Sequence, residues 1–323
     1  MRAAIATAAV GAATAAAGSA SAAVQLTLPG TEVDGVQVAI RYDDFLSYSN
    51  ALLREIQNTS PTILPKSTYG DYSFATGTGG LDLLLYTGAG TKNRNQNVGG
   101  NAALDFEDPA SAPAGGASTF DGWWGKNDQN NDGIADGVNG PVSVGNILNY
   151  LHFVNPLNSI PVFYMDMNQI GSNASLLFSA RVALIDPVTG ALVHEWALDT
   201  TLQPGDGAFD EGSQALAAGL TPAVTGDSGA TYGPVNHNLG SGKADFIAYA
   251  PTMDLSLFDQ NLLFVVEFHM DGINDGFEEI FLSGAIAVTP PPPNGVPEPT
   301  TLALLGLGLG GLGWLNRRRK PAR

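Results

Sequence analysis

The chain is a succession of short apolar segments punctuated by Gly, Pro, Asn and Asp. Val36-Gln37-Val38-Ala39-Ile40 largely follows the two-residue alternation of a strand, which sends neighbouring side chains to opposite faces. Residues 81–86 and 160–167 read as further strands, the second with Pro161 at its start, where the missing N–H is tolerated. Residues 176–185 and 191–198 flank Asp186-Pro187-Val188-Thr189-Gly190, which predicts a β-hairpin with a Gly-containing turn. Residues 245–249, 262–268 and 279–288 complete the strands. Helices are predicted over 47–57 and 143–153, the second behind Ser143 as a cap. The acidic stretch from Asp271 to Glu279 reads as a hairpin turn between a strand ending at Met270 and one starting at Ile280, with a calcium-type turn as the alternative. Many short strands with Gly-rich turns predict a mainly β fold, a β-sandwich or jelly roll carrying one or two short helices.

The two ends differ from this pattern. Arg2 precedes an Ala-rich stretch that closes on Ala20-Ser21-Ala22, a small-x-small cleavage pattern, so residues 1–22 are expected to be a signal peptide. Residues 23–289 are then the β-rich extracytoplasmic domain. Between Ala23 and Gly295 there are eight basic and 30 acidic residues, a net charge of −22. Such a surface disfavours nucleic acid and anionic lipid as partners and is compatible with divalent cations. The absence of Cys excludes thiol catalysis and Cys-ligated zinc.

At the other end, residues 290–296 form a Pro-rich spacer. Residues 300–316 carry no charge and are rich in Leu and Gly. As a helix this run would be ~25 Å long, close to the ~30 Å of a bilayer core, so a transmembrane helix is predicted. Arg317, Arg318, Arg319 and Lys320 follow at once and place the C-terminus in the cytoplasm. Val296-Pro297-Glu298-Pro299, the apolar helix and the basic tail together resemble the PEP-CTERM sorting signal of Gram-negative bacteria, over residues 297–323 with the motif at Pro297, Glu298 and Pro299. The resemblance implies export, anchoring through residues 300–316, processing by an exosortase near the motif, and delivery to the cell surface or an exopolysaccharide-rich biofilm matrix. It describes sorting and leaves the activity of the domain open.

Within the domain, Asp128-Gln129-Asn130-Asn131-Asp132-Gly133-Ile134-Ala135-Asp136 has calcium-loop spacing. Asp128, Asn130 and Asp132 at loop positions 1, 3 and 5 converge on one point, Gly133 permits the sharp turn, Ile134 offers its carbonyl, and Asp136 closes position 9. The loop resembles those of dockerin and thrombospondin type 3 repeats. It departs from a full EF-hand at position 12, which is Asn139 rather than Glu. Ca²⁺ is therefore the expected cofactor. Trp123 and Trp124 stand beside this loop as candidate sugar-stacking platforms, with core packing of at least one ring as the alternative. The four histidines lack zinc-site spacing, and no phosphate loop, dinucleotide fingerprint or Gly-x-Ser-x-Gly elbow is present. The sequence thus predicts a calcium-stabilised, non-enzymatic surface or matrix protein. A carbohydrate-binding module and a secreted glycoside hydrolase, which would need two convergent carboxylates, are the alternatives.

Overall fold

The computed structural model describes residues 26–73, 80–86, 109–111, 119–126, 141–167, 176–199, 214–215, 220–237, 239, 243–273, 278–283 and 286–287. The predicted signal peptide, the calcium-type loop 128–136, the Pro-rich spacer and the sorting tail with its apolar helix lie outside these residues. Among the described residues no helix is long and apolar enough to cross a membrane.

The protein is mainly β, with several antiparallel sheets and few short helices. The larger main sheet has seven strands in the order Ala39–Tyr42, Phe45–Ser49, Phe246–Tyr249, Val162–Met167, Glu278–Ser283, Leu81–Tyr86 and Ala110–Ser111. All its pairings are antiparallel except the last. The smaller main sheet runs Leu192–Leu198, Leu177–Ile185, Leu263–Asp271, Thr119–Trp124, with Gln214–Ala215 also pairing with Leu177–Ile185.

One core joins the two sheets. Phe163, Met165, Ile280 and Leu282 of the larger sheet share an apolar cluster with Phe178, Val182, Val266 and Phe268 of the smaller one. Helix α1 is Asn50–Thr59, α2 is Lys66–Tyr69 and α3 is Val144–Val154. α3 adds Val144, Ile147, Leu148 and Leu151, a single stripe at helical spacing, to this core. Its start is fixed by a capping box, in which the Ser143 hydroxyl accepts from the Asn146 N–H at 3.1 Å and the Asn146 side chain accepts from the Ser143 N–H at 2.9 Å.

The opposite face of the seven-stranded sheet is covered as well. Tyr164, Ile247 and Phe281 pack there against Leu53 and Ile56 of α1 and against Tyr232 and Val235. Strands Val162–Met167 and Phe246–Tyr249 are therefore buried at every position. This is why they read as continuous apolar runs rather than as alternation. An Asp34-Gly35 turn, with both residues at positive φ, closes the short hairpin Glu32–Val33/Val36–Gln37. It is held to the 224–232 segment by Asp34, whose carboxylate accepts from the Ser228 hydroxyl and the Tyr232 hydroxyl, both at 2.6 Å.

The predicted hairpin is found as Leu177–Ile185 paired with Leu192–Leu198, with Gly190 at φ +70° in its turn. The segment from Asp271 to Glu279 is not a hairpin turn. Strand Leu263–Asp271 lies in the smaller sheet and strand Glu278–Ser283 in the larger one, so the chain changes sheets here. Ile273, buried at 6 % exposure in the shared core, helps carry it across.

Candidate functional site

Three groups of chemistry-bearing side chains stand out. The first surrounds the tryptophans. Strand Thr119–Trp124 alternates between exposed or half-buried and buried positions, so its neighbouring side chains face opposite ways. Trp124 is 0 % exposed and packs in the core between the sheets. Its ring is closed off from any sugar, and only Trp123 of the pair reaches the outer face. The turn after it needs Gly125, which sits at φ +96° and so close to the Phe264 carbonyl that a β-carbon would collide with it.

On that outer face the Lys126 ammonium lies 4.5 Å from the centre of the Trp123 ring and 2.9 Å from the Glu267 carboxylate. Arg181 donates to the same carboxylate at 2.6 Å and to Glu195 at 3.2 Å. Burial pushes Glu267 up, but the hydrogen bonds from Lys126 and Arg181 outweigh it and hold the carboxyl below its usual range. His269 pairs with Asp121 two residues along the adjoining strands. These groups are brought together by register: Glu267 stands opposite Arg181 on one side and Trp123 on the other.

The second group was missed in the sequence. Four carboxyls lie in a row on the α1 face of the seven-stranded sheet: Asp82, Glu279, Asp166 and Asp245. Glu279 and Asp166 are direct cross-strand partners, and Asp82 and Glu279 are hydrogen-bonded to each other. Asp245 accepts from the Leu239 N–H at 2.8 Å and the Met167 N–H at 3.0 Å, and is 0 % exposed, as is Asp166. Desolvation first, and then the charges of Asp82 and Asp166, push Glu279 up to about 8. Desolvation, opposed by its two backbone donors, takes Asp245 to about 7. Burial also raises Asp82. The signal available in the sequence was a lone acid inside an apolar strand, as in Leu81-Asp82-Leu83 and Met165-Asp166-Met167.

The third group lines an open groove of about 470 Å³ beside the edge strand Leu192–Leu198, formed by Asp44, Leu192, Val193, His194, Glu195, Trp196 and Thr252. The His194 ring meets Trp196 edge-on at 4.4 Å. The other histidines are dispersed: His152 on α3, His237 stacked on Phe246 and bonded to Ser49, and His269 on the outer face. Among the described residues no group of three His, Asp or Glu side chains is arranged to hold a metal ion. The expected ligands Asp128, Asn130, Asp132, Ile134 and Asp136, and the sorting residues Pro297, Glu298, Pro299, Arg317, Arg318 and Arg319, fall outside the described residues.

Comparison with known proteins adds two findings. Residues 295–320 match the PEP-CTERM protein-sorting motif, which marks an exported protein anchored in the membrane until an exosortase processes it. Residues 26–232 match the family described as Domain of unknown function (DUF8239). No curated protein and no solved structure matches the chain. The DUF8239 match spans more than half of the sequence, and the chain belongs to that family.

Proposed function

We propose that this DUF8239 protein is a non-enzymatic β-sandwich of the cell surface or extracellular matrix of a Gram-negative bacterium, associated with exopolysaccharide and stabilised by Ca²⁺ at residues 128–136. The sorting motif at residues 295–320 is the observation that carries the reading. The net charge of −22 between residues 23 and 295 supports a soluble surface that interacts with matrix polymers through cations. A structural role is supported by the way the described polar groups are used. Glu267 is engaged by Arg181 and Lys126, and Asp82 bonds directly to Glu279. Glycosidase carboxyls stand ~5–9.5 Å apart with the sugar between them, a gap that this direct bond closes. The experiment is fractionation of the producing cells. The protein is expected in the matrix or on the surface, in amounts that fall when the exosortase is deleted; recovery only from the cytoplasm would refute the reading.

A second reading, carbohydrate binding, is favoured by the position of Trp123 on the outer face beside Lys126 and Glu267. Its test is retention of the protein on the cell's own exopolysaccharide, expected to weaken in Trp123→Ala.

A further inference from the structure

We propose that the Asp82–Glu279 carboxyl pair is a proton-operated clamp that fastens the Leu81–Tyr86 strand to the seven-stranded sheet and releases it at alkaline pH. The geometry is specific to this strand. Among the described residues, Leu81–Tyr86 pairs on one side with Glu278–Ser283 and on the other with the two-residue strand Ala110–Ser111. The register with Glu278–Ser283 is broken between Ile280 and Phe281, so the main-chain ladder is irregular at the place where the two side chains meet. The Asp82–Glu279 hydrogen bond spans this irregularity.

A hydrogen bond between two carboxyl groups requires one proton: an acid O–H on one donates to an oxygen of the other. Loss of that single proton leaves two carboxylates facing each other, and attraction becomes repulsion. The surroundings oppose that loss. Asp166 lies directly across from Glu279 on the next strand, and Asp245 continues the row beyond it. Tyr150 of α3, whose hydroxyl donates to the Leu282 carbonyl at 2.9 Å from the inter-sheet core, is close enough to feel the charge of Asp82, and Tyr164 lines the α1 face beside Phe281. Asp166, the nearest of these along the sheet, adds a like charge that opposes a second carboxylate at Glu279. The upward displacement of Glu279 to about 8 agrees with this and places the release above neutral pH.

The test is hydrogen exchange of the full chain in mild detergent, read by mass spectrometry from pH 6 to pH 9 and corrected for the intrinsic rate at each pH. Protection of residues 81–86 is expected to fall at least about tenfold across this range, the change that one unit of pKa difference confers. Protection of residues 177–185, in the other sheet, should hold. Glu279→Gln keeps a donor to the Asp82 carboxylate without titrating and should make protection of 81–86 independent of pH. Asp82→Asn provides the same comparison if the Gln variant does not fold. If neither folds, the wild-type profile decides. A fall confined to 81–86 supports the clamp; no fall, or an equal fall at 177–185, overturns it. An unchanged pH profile in a folded variant overturns it as well.

Discussion

Trp123 and Trp124 are neighbours in the chain and face opposite sides of the same sheet, Trp124 sealed in the core and Trp123 beneath the Lys126 ammonium at the surface. The pair therefore predicts a large contrast in stability. Trp124→Ala removes a fully buried ring and should cost ~3–5 kcal/mol. Trp123→Ala loses a cation–π contact worth ~0.5–1 kcal/mol. The buried indole N–H of Trp124 has no acceptor among the described residues, so Trp124→Phe should retain most of the stability that Ala loses. Urea unfolding of the three variants checks this, and equal midpoints for Trp123→Ala and Trp124→Ala would contradict the assignment of the two faces.

The outer-face network makes Glu267 the shared acceptor of Arg181 and Lys126. Glu267→Ala leaves both cations without it and should cost ~1–3 kcal/mol. Glu195→Ala removes one partly exposed partner of Arg181 and should cost less than ~1 kcal/mol. Denaturant titration at two salt concentrations checks the order. A smaller loss for Glu267→Ala than for Glu195→Ala would show that the network does not centre on Glu267.

Stability should depend on pH from both sides. Glu267 is held low in the fold, so its contribution is present above the ordinary carboxylate range and is lost as pH falls through its folded value. Asp245 and Glu279 are held high, at about 7 and about 8. Their contributions are complete below the ordinary carboxylate range and are lost as pH rises toward those values. Thermal melting should thus be highest near the ordinary carboxylate range and decline towards pH 8, with a shallower decline in Glu279→Gln. A melting temperature that rises steadily from pH 5 to pH 8 would contradict these assignments.

The DUF8239 match ends at residue 232, yet the fold continues. Phe246–Tyr249 and Glu278–Ser283 are interior strands of the larger sheet, and Leu263–Asp271 is interior in the smaller. A chain cut after residue 232 loses the centre of both sheets and should not fold. Circular dichroism and hydrogen exchange of residues 23–232 against 23–289 check this, and native-like protection in the shorter chain would contradict it.

Calcium at residues 128–136 should stabilise the protein by bringing Asp128, Asp132 and Asp136 around one cation. At ~1 mM free Ca²⁺ and a Kd of ~10⁻⁴–10⁻³ M the gain is ~0.4–1.4 kcal/mol. Modules of this kind bind at ~10⁻⁴–10⁻³ M, so millimolar calcium is the relevant range. Asp132→Ala should abolish the shift in melting temperature between EDTA and calcium. An identical melting temperature in both solutions for the unmutated chain would mean that the loop binds no stabilising cation.

Much of the fold was legible in local pattern. The hairpin around Asp186 to Gly190 and the capped helix behind Ser143 were readable because each is specified within about a dozen residues. Strand Phe45–Ser49 was obscured because helix α1 follows without a loop, and Ser49 both ends the strand and caps the helix, accepting from the Leu52 N–H at 3.1 Å. Strand Thr119–Trp124 was hidden by Asp121, Gly122 and the adjacent acidic loop. Gly122 fits there because the Phe120 ring fills the space that a side chain would need. The sheet change after Asp271 depends on which distant strands Leu263–Asp271 and Glu278–Ser283 find, and Asp-Gly chemistry looks the same in an arch as in a hairpin. The carboxyl row was unreadable for a similar reason: Asp82, Asp166, Asp245 and Glu279 are scattered over nearly 200 residues and meet only through register.

Export and C-terminal processing by an exosortase can be read from the intact mass of the protein taken from cells with and without that enzyme. In cells that contain the exosortase, the mature species should be shortened at both ends, lacking residues 1–22 and ending near Pro297-Glu298-Pro299. In cells without it, the species should be shortened only at the N-terminus, keep the sorting tail beyond Pro299 and fractionate with the membrane. The same mass and location in both cells would contradict exosortase processing.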